Sequence, residues 1–404
     1  MDTIAIIGAG LAGTECTRSY RDSGGTADLI LIDPRPERCE LPPLSKTLFA
    51  RELSHTPLPT PEATLMSTGA THIAPGHITL AGGSEQQHRR IDASRIVIAT
   101  GLRARRPQTP LPGGPVHTIR TAADAAAIRQ AAKTNTDIGI LGSGYLALEA
   151  ARSAADAGHQ VTVYLRGDQP LAAAHHPAIS RALMDRHAAA GVRFVLDADP
   201  SDYAAHALWI AAIGAAPVLP ELPADWDRDG AGRLRVDAGL HVCAGGTTVP
   251  NVWAIGDLAH PATGPMAAWG AQESEAAAAS QGAWLGAQLA SAETAADRAA
   301  DRATDAAWTD VPWHWSFQGP ERVFAAGRVT GTDTAIVSGD EQSGRFQVLH
   351  FIDGVLCGAE TLNQPPAHNA ARKILALPPA SRPTASDAAG GALDLRAWVR
   401  RLRS

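Results

Sequence analysis

Ile4-Ala5-Ile6-Ile7-Gly8-Ala9-Gly10-Leu11-Ala12-Gly13 decides the fold, and the same pattern returns roughly 134 residues later. The second copy reads Ile138-Gly139-Ile140-Leu141-Gly142-Ser143-Gly144-Tyr145-Leu146-Ala147. Each copy runs from an apolar strand through glycines into an Ala-rich helical stretch. That context separates a dinucleotide cradle from a chance GxGxxG. The glycines permit the tight turn and a close backbone approach, and the helix start offers free N–H groups to a pyrophosphate. Two cradles imply two dinucleotides bound at once, as in a flavoenzyme that takes hydride from a nicotinamide.

The bulk properties narrow the field. A chain of 404 residues can form two or three domains with full cores. Hydrophobic residues at 45% and charged residues at 19% point to a soluble globular protein. A net charge of −6 argues against general binding to nucleic acid or an anionic membrane, leaving room for a local basic patch. The chain enters a strand by Ile4 with no basic, apolar leader, so no signal peptide is expected. No apolar run reaches the roughly 18 residues that span a bilayer. Cys16, Cys39, Cys243 and Cys357 form no CxxC or metal-ligand spacing. A cytoplasmic protein with free thiols and no metal site is expected, and nothing indicates its oligomeric state.

Along the chain, a helix is predicted over 11–22, then a strand Leu29–Ile32 ending at Asp33. A proline-rich loop carries Leu41-Pro42-Pro43-Leu44-Ser45-Lys46, and 91–101 reads as one buried strand closing on small residues. Pro107, Pro110, Pro112 and Pro115 mark a domain crossing. A second βαβ unit follows over 136–165, with a helix at 177–190 and a core strand at 208–214. Residues 274–306 read as helical, with 293–305 solvated. Apolar/polar alternation at 334–338 and 346–352 predicts an antiparallel C-terminal domain.

Several residues carry chemistry. Asp33, 20 residues beyond Gly13, can accept hydrogen bonds from a ribose hydroxyl pair; the alternative is a turn-starting Asp before Pro34. The second copy ends its strand in Leu165 followed by Arg166, which suits a 2′-phosphate and favours NADPH over NADH. Arg166 as a plain solvated loop residue is the competing reading. Lys46 can stabilise charge developing beside a flavin ring, and Glu149 can point back to pair with it. Taken singly, both are ordinary surface charges. Gly256-Asp257 and Thr100-Gly101 have the small-residue character of close approach to a dinucleotide. Trp313 and Trp315 can stack on a heteroaromatic or simply fill a core. His175-His176 shows no ligand spacing and reads as loop.

Together these residues resemble the FAD-dependent ferredoxin reductases of oxygenase and cytochrome P450 systems, of the putidaredoxin reductase and biphenyl-dioxygenase reductase type. The resemblance rests on Gly8–Gly13 with Asp33, Leu41–Lys46, Ala99-Thr100-Gly101, Ile119-Arg120-Thr121 with Asp124, and Gly142–Glu149. Ala254–Asp257, Val311–Ser316 and Arg372-Lys373 extend it over nearly the whole chain. It implies an α/β fold with two Rossmann-like domains and a C-terminal α+β domain. FAD would lie in a discontinuous domain (1–108 with 236–306), NAD(P)H in 109–235, and an interface in 307–404. Ala12, Asp33, Lys46, Arg120 and Asp257 would touch FAD, Lys46 and Glu149 would pair beside the flavin, and Trp315 would lie near the ring.

There are departures. Gly-Tyr-x-Ala-x-Glu with Arg166 looks more like the NADPH motif of glutathione-reductase relatives, so that Tyr145 would cover the flavin until nicotinamide displaces it. Cys39 stands alone, however, where those relatives use a cysteine pair. The stretch Ala267–Gln272 replaces the family's usual sequence after Asp257 and leaves a contact near Trp269 open. The expected activity is transfer from NAD(P)H through FAD to a [2Fe–2S] ferredoxin serving an oxygenase. A quinone, radical or oxygen acceptor is the enzymatic alternative, and a redox-gated binding protein the non-enzymatic one. An acidic ferredoxin would want a basic rim, for which Arg103, Arg105, Arg106, Arg372, Lys373, Arg396, Arg400, Arg401 and Arg403 are candidates. The same arginines can equally serve solubility.

Overall fold

A computed structural model describes residues 2–35, 37–52, 56–59, 62–82, 89–293, 306–391 and 393–401. The chain forms two compact units. The first comprises Met1–Glu40, Thr56–Arg103 and Ala216–Asp310; the second comprises Leu41–His55, Ala104–Ala215 and Val311–Ser404.

In the first unit, strands Thr64–Met66, Asp28–Ile32, Thr3–Ile7, Arg95–Ile98 and Thr247–Ala254 run parallel in that order. His241–Ala244, Leu234–Val236 and Ala259–Pro261 extend the sheet, the first pairing antiparallel to both of its neighbours. The central strands Thr3–Ile7, Asp28–Ile32 and Arg95–Ile98 are nearly continuous apolar runs, as strands buried on both faces are. Ile4, Ile6, Leu31, Ile96 and Ile98 are all buried. Ile7 lies opposite both Ile32 and Ile98, so Gly8, Asp33 and Ala99 emerge together at the carboxyl ends of adjacent strands. Helix Leu11–Asp22 packs tightly on helix Glu275–Ser291. A Cβ on Gly282 would come within 2.3 Å of Ala12 O, and one on Gly286 within 2.3 Å of Cys16 O. Those two glycines set how closely the helices approach.

In the second unit, Val192–Val195, Gln160–Tyr164, Asp137–Leu141, Leu208–Ala211 and Val116–Thr118 form a five-stranded parallel sheet. The register sets Leu141 opposite Tyr164 and Ala211, which places Gly142 at the equivalent carboxyl end. Trp313–Gln318, Glu321–Gly327, Val355–Leu362, Arg345–Ile352 and Thr334–Asp340 form an antiparallel sheet. Helix Pro365–Leu375 packs Ala371, Ile374 and Leu375 into a core with Leu349, Phe351 and Leu356. The fold is therefore α/β, with two Rossmann-like sheets and a C-terminal α+β part.

Local expectations need three revisions. The stretch 91–101 is not one strand: Arg89–Asp92 belongs to a small antiparallel sheet with Ala70–Ala74 and His77–Leu80, and Arg95–Ile98 enters the main sheet. Residues 42–46 are a one-turn helix rather than a loop, since proline at the first helical positions costs no hydrogen bond. The helix predicted over 274–306 spans Glu275–Ser291, and 294–305 lie outside the described residues. Among the described residues no helix is long and apolar enough to cross a membrane.

Candidate functional site

Both cradles assign their glycines the same three tasks. Gly8 has φ +108° and a Cβ there would sit 2.2 Å from Ala99 O; Gly142 has φ +144° and would meet Ala212 O at 2.3 Å. Gly13 must lack a side chain because its Cβ would strike Gly8 O at 2.0 Å, whereas fully buried Ala147 fits the equivalent place. The middle glycines differ from these. Gly144 has nothing within 4 Å of its Cβ position, and Gly10 has only the Arg35 guanidinium, at 3.6 Å. Each caps its helix in extended backbone with no side chain on the helix N–H groups. This is open, donor-rich space of the kind a pyrophosphate fills.

Asp33 is buried, and its carboxylate accepts from Ala9 N at 2.7 Å. Arg35 donates to it through its backbone N–H and Nε, both at 2.9 Å, and through Nη2 at 2.5 Å. Burial pushes the Asp33 carboxyl up, but Arg35 and these backbone donors outweigh it and hold the group below its usual range. Arg35 is thus a cradle residue that the sequence reading missed, although it stands two positions beyond Asp33. Elsewhere in the first unit, Thr100 Oγ1 donates to Val218 O, and Gly101 takes φ +66°. Gly256, at φ +74°, donates its N–H to Gln281 Oε1 at 2.7 Å, with Asp257 next in the same short turn. Trp269 ends a short turn whose carbonyl accepts from Gln272.

The second unit gathers Lys46, Glu149 and Trp315. Lys46 Nζ is 2.9 Å from Glu149 Oε1, 3.2 Å from Pro42 O and 4.4 Å from the centre of the Trp315 ring. Glu149 is buried and also accepts from Ser45 Oγ and, at 2.6 Å, from Ser316 Oγ. Burial raises the Glu149 carboxyl above its ordinary range, and Lys46 with the two hydroxyls only partly reverses this. A buried acid with a raised pKa, held beside a lysine, is the kind of group that functional sites use to hold or pass a proton. Trp315 and Ser316 are adjacent on one strand and so point to opposite faces, Ser316 reaching Glu149 while the Lys46 ammonium lies over the Trp315 ring.

The remaining candidates are scattered. Leu146 is 42% exposed beside the open Gly144. Arg166 is exposed and lies near enough to Tyr203 to influence its phenol. Arg120 belongs to the second unit, where its N–H and that of Thr121 donate to Asp124 in the capping box of helix Ala122–Ala132. Among the proposed rim residues, Arg103, Arg105, Arg106, Lys373, Arg396 and Arg400 are exposed. Arg372 stacks on Trp313 at 3.9 Å and Arg401 on Trp398 at 4.8 Å, so both also serve local packing. Arg403 lies outside the described residues. All four cysteines are free.

Residues 2–277 match the family described as pyridine nucleotide-disulphide oxidoreductase, and 313–399 match the reductase C-terminal family. Rhodocoxin reductase of Rhodococcus erythropolis is 30% identical, over 93% of this chain and 89% of its own. The ferredoxin–NAD(+) reductase component of the biphenyl dioxygenase system of Paraburkholderia xenovorans is 29% identical, over 90% of each. Among solved structures, the ferredoxin reductase for the CYP199A2 system of Rhodopseudomonas palustris superposes with a TM-score of 0.82 at 25% identity, covering 98% of this chain and 99% of its own. The doubled cradle, the strand order around it and these matches lead to one conclusion: the chain belongs to the pyridine nucleotide-disulphide oxidoreductase family.

Proposed function

We propose that this protein is a cytoplasmic FAD-dependent NAD(P)H:ferredoxin oxidoreductase that supplies electrons to an oxygenase through a [2Fe–2S] ferredoxin. The observation that carries the reading is the pair of open glycine cradles in a chain that also buries Glu149 against Lys46. In the first unit, Gly8, Gly10, Ala12, Gly13, Asp33, Thr100, Gly101, Gly256, Asp257 and Trp269 are assigned to FAD. In the second, Gly142, Gly144, Tyr145, Leu146 and Arg166 are assigned to the nicotinamide nucleotide, with NADPH preferred, and Arg120 to a further FAD contact. Bound FAD would supply the redox chemistry that links a two-electron hydride donor to one-electron acceptors. The chain's own residues supply the rest. The helix starts orient the phosphates, Asp33 takes a ribose, and Lys46 offers positive charge where negative charge develops. Glu149 holds Lys46 in place and is itself held by Ser45 and Ser316. With no cysteine beside Cys39 to pair with, a dithiol is not part of the mechanism.

Anaerobic titration of the purified protein with NADPH and with NADH tests the assignment. NADPH is expected to bleach a flavin spectrum at lower concentration than NADH. Arg166→Ala should weaken NADPH about tenfold, the value of one charge-assisted hydrogen bond, while leaving NADH nearly unchanged. Equal losses would mean that Arg166 does not read a 2′-phosphate, and absence of any flavin would remove the proposal.

A further inference from the structure

In the second unit one turn, 171–176, grips the cradle loop on both sides of Gly144. Leu171 N donates to Ser143 O at 2.9 Å, and His175 Nε2 meets the hydroxyl of Tyr145. Tyr145 is the first residue of the cradle helix, and Ser143 precedes the capping Gly144. The turn closes on itself, since Ala174 N and His175 N both donate to Leu171 O, at 2.8 and 3.0 Å. Leu171 is buried at φ +58°, a left-handed conformation that leucine keeps only where its surroundings fix it. Glu360, fully buried in strand Val355–Leu362, seats the turn. One of its carboxylate oxygens faces His175 Nδ1, and the other lies 2.7 Å from His350 Nε2. The backbone N–H of His176 reaches both oxygens, at 3.1 and 3.2 Å.

We propose that the turn 171–176, seated on Glu360, clamps the loop 143–145 and so pre-forms the site for the nicotinamide nucleotide. His175 and Glu360 are then positioning residues, and Tyr145 is a fixed wall of the site rather than a cover that swings aside. The proposal rests on the functional reading above. A pyrophosphate at a helix start is held by backbone N–H groups, so the loop that presents them must keep its shape. A loop fixed before the nucleotide arrives loses no freedom when it binds, and that saving appears as affinity. The two grips work at different levels: the backbone bond to Ser143 O fixes the entry to the turn, and the side-chain bond to Tyr145 fixes the first helical residue.

The surroundings of Tyr145 leave its ring little room to move. It packs on the cluster that holds Leu148, Leu171 and Ile179, edge-on to His175 at 5.4 Å and tilted against His314 at 5.3 Å. Burial, with His175 beside it, lowers His314 to about 3, so it packs as a neutral ring. Burial, with the carboxylates of Glu360 and Glu149, pushes the Tyr145 phenol well above its usual value, so the hydroxyl keeps its proton. A neutral phenol both donates and accepts, and the bond to His175 holds whichever partner donates. Burial alone would raise Glu360, but the hydrogen bonds and charge of His175 and His350 bring it down to about 2, so the seat of the turn stays ionised. His350 is held in turn by Thr332 Oγ1, 3.2 Å from its Nδ1. The anchored Tyr145 therefore differs from the movable cover that the Gly-Tyr-x-Ala-x-Glu likeness implied.

Two measurements on the holoenzyme decide it, both with whichever of NADP⁺ and NAD⁺ the wild type binds more tightly. The chain has only four tyrosines, so in protein labelled with 3-fluorotyrosine the Tyr145 signal is identified by its loss in Tyr145→Phe. That signal should stay insensitive to exchange of H₂O for D₂O with and without saturating nucleotide. A signal that becomes solvent-sensitive on nucleotide addition overturns the fixed wall. In titration calorimetry, Tyr145→Phe keeps the ring and loses the bond to His175. It should weaken the nucleotide about three- to tenfold, with FAD content as in wild type. Unchanged or tighter binding, accompanied only by a lower unfolding midpoint, makes the bond purely structural and overturns this proposal alone. Wild-type protein that binds neither nucleotide overturns the functional reading and this proposal with it.

Discussion

Helices Leu11–Asp22 and Tyr145–Asp156 carry an acid, an arginine, a serine and a second acid at the same four places: Glu15, Arg18, Ser19, Asp22 and Glu149, Arg152, Ser153, Asp156. Both follow a glycine cradle, yet the shared residues lead different lives. On the first helix Glu15 pairs with Arg18 at 2.6 Å and Arg18 with Asp22 at 2.7 Å, a half-exposed ladder worth a few tenths of a kcal/mol per rung. On the second, Arg152 keeps Asp156 at 2.8 Å, but Glu149 turns inward to Lys46, Ser45 and Ser316. The cause is what packs on each helix. Helix Glu275–Ser291 meets the first helix backbone to backbone at Gly282 and Gly286, and its Ala283 O accepts from Ser19 Oγ at 2.6 Å. The second helix meets Pro42–Lys46 and Trp313–Gln318, which bring donors. The cradle is a repeated device, and its chemistry is decided by the neighbours.

The largest effect should come from testing the glycines in pairs. Gly8→Ala places a methyl group 2.2 Å from Ala99 O at a φ of +108°, and is expected to cost more than about 4 kcal/mol. Gly144→Ala enters open space at negative φ and should change stability by no more than about 0.5 kcal/mol. It should nevertheless weaken the bound nucleotide clearly. Thermal unfolding with parallel nucleotide titration separates the two. Comparable destabilisation at both positions would dissolve the division of labour drawn between first and middle glycines.

The second test sets Glu149→Gln against Glu15→Gln. Removing one partner of a buried pair should cost about 3 kcal/mol, against at most about 0.5 kcal/mol for the surface rung. The pH dependence has a definite sign. Because the folded Glu149 pKa is raised, its contribution is complete below the ordinary carboxylate value of 4.5 and falls as pH rises through the folded value. The stability advantage of wild type over Glu149→Gln should therefore shrink as pH rises above the ordinary carboxylate value in urea unfolding. An advantage that grows with pH would contradict burial as the dominant influence on Glu149.

The sequence made the cradles legible because their demands are local: fixed glycine spacing, an apolar strand before, a helix after. Asp33 was legible for the same reason. Lys46 with Glu149 could be named only through the family likeness, since nothing in spacing joins a residue in a proline-rich stretch to one more than a hundred positions away. The helix at 42–46 was hidden because prolines suggest a loop unless they fall at a helix start. The His175–Glu360 cluster was beyond reach altogether. Its assembly depends on the register that sets His350 opposite Gly358, and hence near Glu360, and on the turn that buries His175 before helix Pro177–Ala189. Two adjacent histidines in a turn carry no sign of such a partner.

The smallest effect sharpens the comparison most finely. Lys46 has two side chains holding it besides the Pro42 carbonyl, the carboxylate of Glu149 and the face of Trp315. A lysine over an indole gains roughly 0.5–2 kcal/mol, more when water is excluded, and phenylalanine offers a weaker face of similar shape. Trp315→Phe should therefore cost less than about 1 kcal/mol. If both holds fix one Lys46 position, losing the carboxylate should change what the ring is worth. The double variant Trp315→Phe with Glu149→Gln should then depart from additivity by about 0.5 kcal/mol or more in urea midpoints. Strict additivity would mean that the ring and the carboxylate act on Lys46 independently. The second helix would then differ from the first by a single buried ion pair rather than by a coupled cluster.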